Sequence, residues 1–209
     1  MSRVKETSDS LSHPVVETPH IRIAPEKRAT LDYVALAVAT CGVGFMPVAP
    51  GTWGSAVGVG VFAALVWGFG LALSSAATNG VLSNASESAA QAAFTSLLLI
   101  IIFATSLAGT WAATRCEKLL ARKDPGAVVV DEVAGQLITF LFVPWSMAGR
   151  LWPVVVGFLA FRVFDIWKPY PIRRLESLES GLGVMADDVL AGAYAATLLS
   201  LLISIYLIL

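Results

Sequence analysis

Long apolar runs alternate with short polar segments along this chain, and three of the runs are long enough to be decisive. Ala56–Ala77 and Phe94–Ala113 are apolar almost throughout, and Val189–Leu209 contains no charged residue. A helix needs about 20 predominantly apolar residues to cross the hydrocarbon core of a bilayer. We therefore predict a transmembrane helix in each of these three runs.

Shorter apolar stretches complete the pattern. Leu31–Thr40 is too short to span a bilayer and predicts a helix that packs at the membrane surface or is partly inserted. Val128–Val143 and Leu151–Phe164 are separated by a short turn and predict a helical hairpin, with each helix short for a full span. The pattern as a whole predicts an all-α polytopic membrane bundle with about four to five membrane segments.

Composition supports a membrane protein and excludes some function classes. The 209 residues are 56% hydrophobic and only 14% charged, whereas soluble domains have about 25% charged residues. The net charge of −1 and the scattered basic residues give no sign of nucleic-acid binding. Residues 1–28 are polar and contain three prolines, which predicts a disordered tail before a single helical domain over residues 29–209.

The distribution of lysine and arginine predicts the orientation of the chain. The N-terminal tail has five of these residues, the 78–93 loop none, the 114–125 loop four, the 144–150 turn one and the 161–188 segment four. Cytoplasmic loops carry an excess of lysine and arginine. If each apolar segment crosses once, the alternation places the N-terminus on the cytoplasmic side.

This orientation places five carboxylates on one membrane face. Asp131 and Glu132 lie at the start of the third predicted segment, Asp165 at the end of the fourth, and Asp187 and Asp188 just before the last. Clustered carboxylates repel one another unless a counter-charge is present. Mg²⁺ prefers oxygen ligands and often bridges carboxylates to a substrate phosphate, so we predict that these five residues bind Mg²⁺.

Basic residues lie close to the acidic ones in sequence. Arg162 and Lys168 flank Asp165, and Arg173 follows a few residues later. Arginine and lysine bind phosphate oxygens, arginine through its bidentate fork. Acidic metal ligands, basic phosphate-binding residues and a membrane surface together favour chemistry on a phosphorylated lipid head group. A transporter with a charged cytoplasmic gate and a purely structural arrangement are the alternatives.

A glycine-rich segment, Gly42–Ser55, precedes the first long apolar run. Its four glycines and two prolines exclude a continuous helix. Glycine lets backbone N–H groups approach a ligand, and Thr52 and Ser55 add hydroxyl groups. The segment is therefore either a substrate-binding loop for an anion or a plain connection.

Three sequence blocks carry a family resemblance: GFMPVAPGTWGS at 44–55, DPGAVVVDEVAG at 124–135, and the 161–192 block that contains FDIWKPYPI and GVMADD. The chain resembles the phosphatidylglycerophosphatase A family. The resemblance implies an all-α enzyme of the bacterial inner membrane that dephosphorylates phosphatidylglycerophosphate to phosphatidylglycerol with Mg²⁺, at the cytoplasmic face. It also implies a metal site made by five acids: Asp131, Glu132, Asp165, Asp187 and Asp188. Arg162 and Lys168 are then expected to lie near the phosphate.

The expected mechanism is hydrolysis by a metal-activated water, with Asp131, Asp165 and Asp188 as catalytic residues. A carboxylate nucleophile remains an alternative. Cys116 and Arg122 have the spacing of a cysteine phosphatase signature. The residues between them include no glycine that would curl backbone N–H groups around a phosphate, so we do not favour cysteine chemistry.

Overall fold

The computed structural model describes residues 29–79, 86–123, 125–175 and 181–209, and every regular element within these ranges is an α-helix. This confirms the predicted all-α class. In chain order the helices are α1 Thr30–Thr40, α2 Pro50–Thr78, α3 Glu87–Leu120, α4 Val130–Thr139, α5 Trp145–Ala148, α6 Leu151–Trp167, α7 Ile172–Leu175 and α8 Gly181–Ile208. The predicted N-terminal tail lies outside the described residues.

Three of these helices, α2, α3 and α8, are long and apolar enough to cross a membrane. They correspond to the three long apolar runs, but each helix extends beyond its run. Helix α2 begins at Pro50, so the last six residues of the glycine-rich segment are helical rather than a loop. Proline is favoured in the first turn of a helix, where its missing N–H has no partner to lose. Helix α3 reaches Leu120, and Arg115 and Lys118, which the sequence assigned to a loop, lie on it.

The start of α8 differs most from the prediction. The helix begins at Gly181, eight residues before the predicted Val189, so Asp187 and Asp188 lie about two turns inside it. Tertiary contacts with α3 fix this early start. The Gly181 N–H donates to Thr114 Oγ1 at 3.1 Å, and a Cβ on Gly181 would lie 2.3 Å from the Thr110 carbonyl oxygen. The favourable interaction of an acid with a helix start therefore does not explain these two aspartates.

Helices α4 and α6 form the predicted hairpin, with α5 between them, and their 10 and 17 residues are short for a full span. Helix α4 is almost completely buried and contacts α2, α3, α6 and α8. Glycines make this close packing possible. A Cβ on Gly192 of α8 would lie 2.4 Å from the Gly135 carbonyl oxygen of α4. A Cβ on Gly54 of α2 would lie 2.8 Å from the Val129 Cβ.

The apolar core lies beside α4 and is rich in aromatic residues. Phe62 of α2 stacks on Phe140, with ring centroids 4.3 Å apart, and meets Phe94 of α3 edge to face. All three rings are 1% exposed. Helix α1 is joined to α3 by an ion pair in which Arg115 Nε donates to Asp32 Oδ1 at 2.6 Å. These contacts join α2 to α3 and to the end of α4, and α1 to α3.

Candidate active site

The five predicted acidic residues meet in one cavity of about 420 Å³. Asp131 and Glu132 come from the first turn of α4, Asp165 from the last turn of α6, and Asp187 and Asp188 from the second turn of α8. Three helices that are far apart in sequence therefore bring their acids to the same end of the bundle. We call this space the acidic cavity. Arg162 and Lys168 also line it, as does the start of α2.

Three of the acids lie close enough together to hold a cation. Asp131, Glu132 and Asp188 each offer a carboxylate oxygen, and these oxygens all lie within 4.8 Å of one another. Asp131 Oδ1 and Glu132 Oε2 are buried and have no hydrogen-bond partner. Buried carboxylate oxygens without partners are costly unless a cation or a proton compensates them. An all-oxygen donor set of this kind suits Mg²⁺.

The electrostatics of the α4 acids agree with this geometry. Burial, followed by the charges of Glu132 and Asp188, raises the pKa of Asp131 well above its ordinary value. Burial is also the main cause that raises the pKa of Glu132. A nearby divalent cation favours the charged form of a carboxyl group and would oppose both effects. The site is therefore arranged to hold positive charge.

The other two predicted metal ligands are each paired with a basic side chain. Arg162 Nη1 donates to Asp165 Oδ2, one turn along the same helix. Lys168 Nζ donates to Asp187 Oδ2 at 2.6 Å. Lys168 ends α6 in the left-handed conformation with φ 46°. The five acids thus form two sets. Asp131, Glu132 and Asp188 lie close together, whereas Asp165 and Asp187 are each paired with a basic side chain.

The hydroxyl groups predicted to bind substrate lie behind this wall. Ser55 is fully buried, donates to the Gly51 carbonyl oxygen at 3.0 Å, and accepts a hydrogen bond from Arg162 at 3.4 Å. The residues that line the acidic cavity do not include Ser55 or Thr52. The Thr52 N–H bonds the Ala49 carbonyl in the first turn of α2. Ser55 thus contacts Arg162 from outside the cavity lining.

Gly51 is the residue at this site that sequence reasoning missed. A Cβ at Gly51 would lie 2.2 Å from Glu132 Oε1 and 3.2 Å from Arg162 Nη1. The bare backbone of α2 therefore leaves room for a site carboxylate and a site guanidinium. Glycines at 51, 54 and 58 all face α4. Their spacing of three and four residues places them on one side of a helix. This spacing is the feature of the sequence from which the role of Gly51 could have been predicted.

Arg173, also predicted to bind substrate, lies next to the acidic cavity rather than in it. It lines a second cavity of about 520 Å³ with Trp167, Lys168, Pro169, Tyr170 and Arg174. We call this space the basic cavity. Lys168 lines both cavities. A larger cavity, of about 860 Å³, is lined by the Asp32–Arg115 ion pair and by residues of α3.

Comparison with known proteins identifies the family. A sequence model of the phosphatidylglycerophosphatase A family matches residues 36–203, which include every residue of the acidic cavity. The chain belongs to this family. The family match thus covers the described helices from α1 to α8 and agrees with the resemblance seen in the sequence blocks.

Individual relatives carry two kinds of name. A Bacteroides thetaiotaomicron protein, provisionally named a phosphatidylinositol-3-phosphatase, is 37% identical over 159 residues, covering 76% of this chain and 86% of the relative. The Haemophilus influenzae phosphatidylglycerophosphatase A is 32% identical over 173 residues, covering 81% and 88%. The Escherichia coli phosphatidylglycerophosphatase A is 36% identical over 95 residues, covering 44% and 52%. No solved structure matches the chain.

Proposed function

We propose that this protein is a Mg²⁺-dependent lipid phosphatase that hydrolyses the terminal phosphomonoester of phosphatidylglycerophosphate and yields phosphatidylglycerol and inorganic phosphate. The observation that carries the proposal is the group of three carboxylates, with oxygens within 4.8 Å of one another, beside the basic residues of the same cavity. A phosphate monoester is a dianion, and it needs positive charge at its oxygens in order to enter a cavity lined by acids.

Each side chain then has a defined part in this proposal. Asp131, Glu132 and Asp188 hold the cation, which when bound supplies a Lewis acid for the phosphate and an acidified water. Arg162 and Lys168 bind the phosphate oxygens from the cavity wall and stabilise the charge that develops on them. The ion pairs with Asp165 and Asp187 keep the Arg162 and Lys168 side chains oriented.

The start of α2 adds to the positive potential of the cavity. Ala49, Pro50 and Gly51 line it, and the N-terminal end of a helix carries a partial positive charge. This favours a phosphate group near the first turn of α2. The glycine-rich segment would then contribute through its backbone, as the anion-binding interpretation of the sequence expected, and less through its hydroxyl groups.

We infer that the acidic cavity faces the cytoplasm from the inner membrane. The excess of lysine and arginine in the tail and in the 114–125 and 161–188 segments supports this orientation. The three helices with enough length and apolar character to cross a membrane support a multi-pass topology. A reporter fused at the C-terminus, after α8, is expected to be accessible only from the periplasm.

The names of the relatives point to two candidate lipid substrates. Two relatives are named for phosphatidylglycerophosphate and one for phosphatidylinositol 3-phosphate. We favour the first because the family model carries the same description. A transporter with a charged gate gains no support from these comparisons.

The test is a phosphate-release assay on the purified full-length protein in detergent micelles. We expect release from phosphatidylglycerophosphate to exceed release from phosphatidylinositol 3-phosphate, to stop in EDTA, and to return with added Mg²⁺. Activity that is undiminished in EDTA would exclude the Mg²⁺ site. No release from either lipid, together with solute flux in proteoliposomes, would favour the transporter.

A further inference from the structure

The basic cavity beside the active site has a composition opposite to that of the acidic cavity. Its lining combines three cationic side chains with two aromatic rings and a proline: Lys168, Arg173, Arg174, Trp167, Tyr170 and Pro169. The described residues that line it include no acid. Arginine is well suited to phosphate because its planar fork offers two parallel N–H donors. The basic cavity is therefore complementary to an anion.

The wall of the basic cavity is held in place by contacts with the rest of the bundle. Ile172, at the start of α7, is fully buried and packs with Phe161 of α6 and Ala191 of α8. The Tyr194 hydroxyl donates to the Tyr170 carbonyl oxygen at 3.3 Å. The short helix α7, which carries the two arginines, is thus attached to α6 and α8, two of the helices that form the acidic cavity.

Arg174 is oriented by its aromatic neighbour. Its guanidinium carbon lies 4.9 Å from the centre of the Tyr170 ring, and its Nη1 donates to the Tyr170 hydroxyl at 3.3 Å. A guanidinium carries its N–H donors in a planar fork, and its positive charge suits an anionic ligand. Arg173 is exposed on the same short helix. The two arginines together place positive charge at the mouth of the basic cavity.

Lys168 connects the two cavities. It lines both of them, and its Nζ donates to Asp187 on the acidic side. A ligand with two phosphate groups joined by a short polyol would place one phosphate on each side of Lys168. Phosphatidylglycerophosphate has this form, since a glycerol unit joins its terminal phosphomonoester to the phosphodiester that leads to the lipid. Phosphatidic acid has a phosphomonoester and no second phosphate.

We infer that the basic cavity binds the phosphodiester of the lipid substrate through Arg173 and Arg174, so that the enzyme selects lipids with two phosphates over lipids with one. This inference rests on the proposed function and specifies the substrate class of the same site. The terminal phosphate occupies the acidic cavity while the arginines hold the group that is not cleaved. Such contacts act on substrate binding and specificity more than on the chemical step.

The experiment compares phosphatidylglycerophosphate with phosphatidic acid of the same acyl chains, for the full-length protein in mixed micelles with Mg²⁺. The variants are the Arg173→Gln/Arg174→Gln double variant, its lysine counterpart, and Arg150→Gln as a matched control. Arg150 is an exposed arginine that precedes the opposite end of α6. We expect the wild type to have the higher kcat/KM on the lipid with two phosphates.

In the double glutamine variant we expect kcat/KM for phosphatidylglycerophosphate to fall roughly tenfold or more, mainly through a higher KM, and the ratio between the two lipids to approach one. The lysine variant should recover part of the ratio because the charge is kept, and Arg150→Gln should leave the ratio unchanged. An equal loss on both lipids would overturn the inference and show general attraction of anionic lipid. No loss on either lipid would also overturn it. A wild-type protein inactive on both lipids would instead overturn the proposed function itself.

Discussion

Replacing Gly51 by alanine places a methyl group where the Glu132 carboxylate now lies. The new Cβ would be 2.2 Å from Glu132 Oε1, whereas ordinary van der Waals contact begins at 3.4 Å. The oxygen must therefore move by about 1.2 Å. Because Oε1 is the end of a flexible side chain, the carboxylate can give way and the backbone need not move. The Arg162 Nη1 atom, at 3.2 Å, must shift by a few tenths of an ångström.

The two consequences of this change differ in size. A displacement of about 1 Å at a reacting centre costs about 10²-fold in rate. In contrast, the exchange of glycine for alanine in a helix changes stability by about 1 kcal/mol, in the favourable direction when there is space. We therefore expect Gly51→Ala to lower kcat by about 10²-fold and to raise the Mg²⁺ concentration needed for half-maximal activity, while the thermal unfolding temperature changes little.

Two other glycines of α2 serve as matched controls. A Cβ on Gly60 meets nothing within 4 Å, so Gly60→Ala is expected to keep activity and to raise stability by up to about 1 kcal/mol. A Cβ on Gly54 would lie 2.9 Å from the Val129 carbonyl oxygen, which belongs to the backbone and cannot turn away. Gly54→Ala is therefore expected to lower the unfolding temperature. The assay measures phosphate release against Mg²⁺ concentration and thermal unfolding in the same detergent.

The result that refutes this reasoning is a Gly51→Ala variant with wild-type kcat and an unchanged Mg²⁺ requirement. That outcome would mean that Glu132 does not need its present position. A loss of activity accompanied by an equal loss of folded protein would also count against it, because the argument requires a folded variant with a displaced carboxylate.

Further substitutions test the acids, the lysine and the helix packing. Each of three substitutions should abolish phosphate release while the protein still inserts: Asp131→Asn, Asp165→Asn and Asp188→Asn. Full activity in all three variants would exclude the metal site. Lys168→Met should lower kcat by about 10²-fold or more, since one transition-state donor is lost, and wild-type kinetics would remove Lys168 from the mechanism. Gly192→Ala should destabilise the protein by about 1–3 kcal/mol, because its Cβ meets the Gly135 carbonyl oxygen at 2.4 Å; an unchanged unfolding temperature would contradict this packing.

Much of the fold could be predicted from the sequence because hydrophobic runs and charge counts report local properties. The three long helices and the short hairpin follow from run length, and the placement of Asp131 and Glu132 in a first turn is confirmed. The start of α8 could not be predicted in this way. Asp187 and Asp188 lower the local hydropathy, so this stretch has the composition of a loop. The contacts of Gly181 with α3 explain why the helix begins earlier.

The site was predictable in its residue types and less so in its geometry. Charge distribution was enough to group the five acids, and all five line one cavity in the structure. It could not show that Asp165 and Asp187 are paired with basic side chains, or that Ser55 supports Arg162 from behind. Such details depend on side-chain contacts between helices that are distant in sequence. Gly51 was counted as a loop residue for the same reason.

The burial of α4 has a consequence for biosynthesis. This helix carries Asp131 and Glu132, yet Gly135 on the same helix packs against Gly192 of α8, the last helix of the chain. Small residues at such contacts allow membrane helices to approach closely and associate. Until α8 has been synthesised and inserted, α4 lacks the helix against which Gly135 packs, and Asp188 is absent from the site. The acidic cavity is therefore completed only after α8 has been made, and a chain that stops before Gly181 lacks both Asp187 and Asp188.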